Sequence, residues 1–449
     1  MTLVYALITF LLVYGLIAVR KVGGITIPAW IPMLVGALVM LAMQVVSVEE
    51  AYRAIKMDVI LFLLGMFMMV AVLERAGMIQ HITVSILRRA GSTDRLLLFI
   101  LVVMGTLSAF LMNDTIALVA TPIILGMSRF GVRPRPLLIA LAFAVTIGSA
   151  MTPIGNPQNF LIAVESGMRA PMLDFLKYLV LPTLANYIAT YYLLRWYYRR
   201  ALNPTTSTGD TGNTNADTSN GAGTSDANTL HADVYDSRMA RISMIVVSTV
   251  ILAFFALSIA RALGVEPMLD MSHVALAGGL VLLAFSRDRV RVLRHVNWGI
   301  ILLFVGMFVF MDALTKAGVI TMFASLLSPL QLNGMDSNAQ SSTGIHSILT
   351  IVATSTFLSQ FMSNVPFVAF YINVMHEHGF SSDDIKAWVA LAGASTLAGN
   401  LTILGAASNL IILEAARKEG FTFMEFFRIG SMVTAVNMLI LVGFLLIIP

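Results

Sequence analysis

The sequence predicts an all-α polytopic membrane protein made of two inverted repeats, each with five transmembrane helices and one re-entrant hairpin. Three observations predict it. Apolar residues make up 58% of the 449-residue chain and charged residues only 12%, where a soluble domain is about a quarter charged. Apolar runs long enough to cross a bilayer recur along the whole length. The second half of the chain repeats the first.

Taken in order, the spans of the first half fall at 3–19, 25–47, 58–74, 137–164 and 173–198. Those of the second fall at 242–260, 270–286, 297–317, 387–415 and 424–448. The first apolar run, from Leu3, follows no basic segment and reads as a retained span rather than a cleaved signal. Segments 96–130 and 346–375 are too short for two crossings, which need about 40 residues plus a turn. Each carries a polar, Asn-centred break and reads as a re-entrant hairpin. The spans 137–164 and 387–415 are interrupted by polar residues and read as broken helices. Residues 203–236 hold no Lys or Arg and almost no large apolar side chain. Such a stretch buries too little surface to fold, so a disordered cytoplasmic linker is expected over 201–240. The predicted domains are 1–200, the linker, and 241–449.

The repeat is legible as strings. GALVMLA at 36–42 matches GGLVLLA at 278–284, and LGMFMMVAVLERAGMI at 64–79 matches VGMFVFMDALTKAGVI at 305–320. LSAFLMNDT at 107–115 matches LSQFMSNVP at 358–366, and LAFAVTIGSAMTPIGNPQNFLI at 141–162 matches LAGASTLAGNLTILGAASNLII at 391–412. Four ordered matches at nearly one offset mark an internal duplication. Five crossings per half is an odd number, so the second half is flipped. With that topology the side opposite the N-terminus collects 21 of the 28 Lys and Arg residues and the N-terminal side 7. The positive-inside rule then puts both termini outside the cytoplasm and the linker inside it, with the chain in the cell (inner) membrane.

Polar groups sit where lipid forbids them. The first hairpin tip carries Asn113, Asp114 and Thr115, and the second Ser363, Asn364 and Pro366. A half-helix starting at either asparagine points N–H groups and a positive dipole end inward, which suits an anion. The first broken helix contains Thr152, Pro153, Gly155, Asn156, Pro157 and Asn159. Its proline residues lack the amide hydrogen the ladder needs. Freed carbonyls and the asparagine amide oxygens could coordinate a hard cation such as sodium. The second broken helix holds Asn400, Thr402, Gly405 and Asn409, of which Thr402, Gly405 and Asn409 match Thr152, Gly155 and Asn159. Any one of these residues is as well explained by helix packing. Their paired placement in both repeats is the plan of a secondary transporter with substrate and coupling ion near the midplane.

Asp114 is the one formal charge between Leu96 and Ser128. Asp312, by contrast, stands four residues before Lys316, a spacing for a structural ion pair. A lone embedded carboxylate carries a proton or helps hold a cation, so Asp114 is read as the coupling-ion residue. Its repeat mate is Val365. That asymmetry leaves no paired carboxylates for an intramembrane aspartyl protease. The cluster His376, Glu377, His378 reads as a solvated loop rather than a metal site. The absence of cysteine excludes disulfides, thiolate metal sites and a cysteine nucleophile. No HExxH or P-loop motif is present, so neither an enzyme nor ATP coupling is expected, and no cofactor beyond Na+ or H+. Nothing in the sequence points to a nucleic-acid partner.

FLMNDTIALVATPI, TPIGNPQNFLI, FMSNVPFVAF and GNLTILGAASNLI resemble the signatures of the ion transporter superfamily. That group includes divalent anion/sodium symporters, citrate-transporter-like permeases, arsenite permeases and the melanosomal P protein. In the divalent-anion branch each tip carries Ser-Asn-Thr, which binds carboxylates and adjoins sodium. Here the tips align as Met112-Asn113-Asp114 and Ser363-Asn364-Val365, keeping both asparagines. The Asn-Asp pair is similar to arsenite permeases, and the TPIGNPQN break to the sodium loop of the symporters. The resemblance implies an elevator mechanism and a homodimer joined through its scaffold. The expected function is secondary active transport of a small carboxylate or inorganic oxyanion coupled to Na+ or H+. Arsenite or antimonite efflux and Na+/H+ antiport are the alternatives.

Overall fold

Backbone in hydrocarbon must satisfy its own hydrogen bonds, so the chain is built from helices. The computed structural model describes residues 2–19, 21–22, 25–89, 92–127, 133–199, 236–327, 344–416 and 421–449. The first half contains α1 (Thr2–Val19), α2 (Trp30–Ala42), α3 (Val48–Ala54), α4 (Met57–Arg75) and α5 (Met78–Arg89). It continues with α6 (Thr93–Leu111), α7 (Asn113–Gly126), α8 (Pro134–Ser149), α9 (Pro157–Glu165) and α10 (Pro171–Tyr197). The second half gives α11 (Ser237–Ala262), α12 (Met271–Phe285), α13 (Arg289–His295), α14 (Trp298–Lys316) and α15 (Val319–Leu327). It ends with α16 (Ile345–Met362), α17 (Asn364–Glu377), α18 (Ile385–Leu397), α19 (Ala407–Ala416) and α20 (Phe423–Ile447). Each helix of the first half thus has a counterpart ten labels on.

Among the described residues, α1, α4, α6, α11, α14, α16 and α20 are long and apolar enough to cross a bilayer. The protein is therefore a multi-pass membrane protein. Two expected boundaries move. The span expected at 25–47 is helical only over Trp30–Ala42. Ile25–Thr26 instead pairs antiparallel with Lys21–Val22, and Gln44 turns the chain at φ 56°. The linker expected over 201–240 gives way to α11 at Ser237, because the Asp236 side chain caps that helix through the amides of Arg238 and Met239. Residues 200–235 lie outside the described residues.

The halves interlock. Helix α4 packs along α12, and α14 packs along α2, so each half's helix is met by the other half's. Both contacts use a glycine at the same repeat position. A Cβ on Gly65 would overlap the backbone carbonyl of Ala275, and one on Gly306 would stand 2.9 Å from the Cα of Leu34. Only a hydrogen in place of the side chain lets these backbones approach so closely.

The two tips share a backbone device. Helix α6 ends at Leu111, Met112 takes φ 64°, and α7 starts at Asn113. Helix α16 ends at Met362, Ser363 takes φ 63°, and α17 starts at Asn364. Helices α7 and α17 have 14 residues each. At about 1.5 Å per residue they fall short of a hydrocarbon core about 30 Å thick.

Candidate functional site

The breaks follow from local chemistry. In the first, α8 stops at Ser149, and Pro157 opens α9 with Asn156 as its cap, the Asn156 Oδ1 accepting from the Asn159 amide at 2.8 Å. Asn159 Nδ2 then donates to the carbonyls of Ser149 at 3.0 Å and Thr152 at 3.1 Å. The second break repeats this, with Asn409 Nδ2 donating to the carbonyls of Gly399 at 2.7 Å and Thr402 at 3.3 Å. One asparagine in each repeat therefore ties its unwound stretch together. Gln360 on α16 braces the second break, donating to the Ala398 carbonyl at 2.8 Å and accepting from the Thr402 hydroxyl at 2.9 Å.

The repeats then diverge. Thr396 donates its hydroxyl to Asn159 Oδ1 at 3.1 Å, so both amide oxygens predicted to hold a cation in the first break are already engaged. The matching hydroxyl in the first half, Thr146, donates to the Ala142 carbonyl instead. Asn409 Oδ1 is left buried without a partner, as are Ser408 Oγ, both amide atoms of Asn400, and Asn364 Oδ1. Asn364 Nδ2 lies 3.4 Å from where a Cβ on Gly399 would stand, which brings the second tip against the second break. Buried polar atoms left unpaired are unfavourable unless water or an ion meets them.

A cavity of about 370 Å³ collects both tips and both breaks. Its walls include Asn113 and Asp114 from the first tip, and Ser363, Asn364 and Val365 from the second. Pro157, Gln158 and Gly405–Ala407 come from the breaks, and Trp30, Asn297 and Leu303 from the starts of α2 and α14. Asp114 is the one charged side chain among them, half-buried, and its carboxylate makes no hydrogen bond or ion pair with a described residue. The first-turn amides differ between tips. The Asn113 amide donates to the Gly155 carbonyl at 3.2 Å and the Asp114 amide to Asn113 Oδ1 at 3.0 Å, so they are not free as expected. The amides of Asn364 and Val365 have no partner among the described residues.

Of the residues predicted to touch substrate, Asn113, Asp114, Ser363 and Asn364 line this cavity. Thr115 does not, and Pro366 faces α1, its carbonyl accepting from the Tyr14 hydroxyl at 3.1 Å. Of the predicted coupling-ion residues, Asp114 and Gly405 line it, while Thr152, Gly155, Asn156, Asn159, Asn400 and Asn409 are buried inside the breaks and Thr402 is half-buried beside them. Sequence reasoning missed Gln158, Trp30, Asn297 and Gln360. Gln158 was visible inside the polar run of the first break; the others stand at helix starts or within α16 and carry no local signal.

A second cavity, of about 430 Å³, is lined by acids and bases of α3, α14 and the end of α9. Lys316 pairs with Asp312 at 2.9 Å and with Glu50 at 3.1 Å, and Lys56 with Glu165 at 3.6 Å. The backbone amide of Ser47, then the Lys316 ammonium, hold the Glu50 carboxyl down at about 2. His376 contacts the Glu165 carbonyl at 3.2 Å.

A helical membrane body that gathers two helix-breaking tips and two unwound stretches into one cavity has the form of a membrane transporter. The citrate transporter family matches the chain over residues 14–393, and the chain belongs to that family. An uncharacterized transporter of Mycobacterium tuberculosis is 29% identical over 455 residues, covering 97% of this chain and 96% of the relative. The silicon efflux transporter LSI3 of Oryza sativa is 27% identical over 424 residues, covering 86% and 84%. The fold resembles the crystal structure of the Alcanivorax borkumensis YdaH transporter with a TM-score of 0.54 at 15% identity, over 99% of this chain and 97% of that one.

Proposed function

We propose that the protein is a secondary active transporter carrying a small carboxylate or inorganic oxyanion across the cytoplasmic membrane, coupled to Na+ or H+. One observation carries this reading: a single cavity receives both tips and both breaks, and holds one carboxylate and no basic side chain. The open amides of α17 and the amide groups of Asn113, Asn364 and Gln158 offer an anion its donors. The carboxylate of Asp114 repels that anion until a proton or a sodium ion neutralises it. Binding of anion and cation is then mutually favourable, which is the coupling a symporter needs. The unpaired oxygens of Asn364, Asn400, Ser408 and Asn409 supply sodium ligands beside the second tip. Thr152, Gly155, Asn156, Asn159, Thr402 and Gly405 hold the breaks that shape the site.

The repeats are inverted in this reading, with 1–200 and 241–449 as the two membrane units and both termini extracytoplasmic. Tips, breaks, α10 and α20 move as one body against a scaffold holding α2, α4, α12 and α14, and the scaffold joins two copies into a homodimer. The rice relative's silicon efflux favours a second reading, export of a neutral hydroxide such as arsenous acid. Purified protein in proteoliposomes separates them. Charge movement is recorded on adding citrate, succinate, phosphate, sulfate and arsenite in turn, with and without sodium. A sodium- or pH-driven current with an anion is expected, abolished in Asp114→Asn with the protein still folded. Unchanged uptake in that variant removes Asp114 from coupling, and a response to arsenite alone selects efflux.

A further inference from the structure

Away from the transport cavity, a cleft of about 440 Å³ opens where the end of α4, the start of α11 and the turn from α12 to α13 meet. Three arginines line it: Arg75, Arg238 and Arg287. Two carboxylates are also present, and both are already engaged. Asp236 accepts the amides of Arg238 and Met239 at 3.1 and 3.0 Å. Asp288 holds Arg291 at 2.9 Å and reaches Arg75 only at 3.9 Å. Among the described residues, neither Arg238 nor Arg287 has a carboxylate within ion-pair distance. The floor is apolar, from Val72, Met239, Ile242 and Val292.

The surroundings say what kind of anion fits. Beyond the cleft, α11 exposes Ile245 and Leu252 and α12 exposes Leu280 and Val281, and Phe285 of α12 lines the cleft itself. Apolar helix faces of this kind are in contact with acyl chains. The helix ends place the arginines at headgroup level, on the face that the charge bias assigns to the cytoplasm. We propose that this cleft binds the phosphate of an anionic phospholipid of the cytoplasmic leaflet, with Arg238 and Arg287 on the headgroup and the acyl chains along α11 and α12. Arginine's planar fork suits phosphate oxygens, and basic pockets between helix ends are suited to such headgroups. The occupied cleft ties α4 of the first half to α11 and α12 of the second through one lipid.

Purified full-length protein in detergent is titrated with phosphatidylglycerol and with phosphatidylcholine, reading bound lipid by native mass spectrometry and the thermal midpoint in parallel. Selective retention of phosphatidylglycerol is expected. The double variant Arg238→Gln/Arg287→Gln should lower its apparent affinity by about thirtyfold. Arg428→Gln, an exposed arginine outside the cleft, should leave it unchanged. Equal retention by the double variant, or equal loss in Arg428→Gln, overturns the site. Stabilisation by inorganic phosphate with no added gain from the lipid overturns the phospholipid as its occupant. The midpoint of the double variant without lipid reports folding independently.

Discussion

Replacing Asn159 and Asn409 by alanine, one at a time, separates a structural knot from an ion site. Asn159→Ala removes three good hydrogen bonds, to the Ser149 and Thr152 carbonyls and from the Thr396 hydroxyl, at 3.0, 3.1 and 3.1 Å. At about 1 kcal/mol net each, the loss is about 3 kcal/mol, before the stranded Thr396 donor is counted. Asn409→Ala removes two bonds, at 2.7 and 3.3 Å, but also deletes an oxygen that is buried and unpaired. Its net loss without ligand is therefore about 1 kcal/mol. The order reverses once sodium is added. A ligand present at 100 times its dissociation constant stabilises the folded state by about 2.7 kcal/mol. Only Asn409→Ala should forfeit that gain. Thermal unfolding, followed by the fluorescence of the four tryptophans, is compared in sodium and choline chloride. Asn159→Ala should melt well below the parent in both salts and keep the sodium shift, whereas Asn409→Ala should melt near the parent in choline and show none. A full sodium response in Asn409→Ala would refute the assignment of its oxygen to the ion. A parent protein indifferent to sodium would leave Asp114 as a proton carrier.

Two further outcomes follow from the backbone. Ser363 is half-buried at φ 63°, a conformation that disfavours side chains by about 1–3 kcal/mol, so Ser363→Gly should raise the thermal midpoint by an amount equivalent to about 1 kcal/mol; a lower midpoint would show that the serine hydroxyl matters more than the strain. Gly65→Ala and Gly306→Ala should each destabilise by about 1–3 kcal/mol, Gly65→Ala more, because its new methyl would stand closer to the Ala275 backbone than the 2.9 Å from backbone at Gly306. Denaturant or thermal midpoints check the order, and equal midpoints for parent and both variants would mean the helices are spaced more widely.

Much of this architecture was legible because lipid makes polar residues conspicuous. Asn113 and Asn364 stand inside apolar runs, and α7 and α17 start at those two residues. The proline pair at 153 and 157 announced the first break, and the Asp312–Lys316 pair followed from helical spacing. The divergence of the two breaks was not legible. Thr146 and Thr396 are the same residue at matching positions, and nothing local says that one turns to its own helix and the other across to Asn159. Trp30 and Asn297 reach the cavity only because α2 and α14 pack together, a long-range fact with no trace in composition or period.

The crossed packing of α4 on α12 and of α14 on α2 bears on how the chain is made. When the first half has left the ribosome, the groove around Gly65 has no occupant, since Ala275 belongs to the second half and is still to be made. The early half must wait in the bilayer as a set of inserted but undocked helices, and the late half closes it. A truncated chain ending in the central segment should therefore be a substrate for membrane quality-control proteases. The two halves expressed as separate polypeptides should rescue each other only when both are present during insertion.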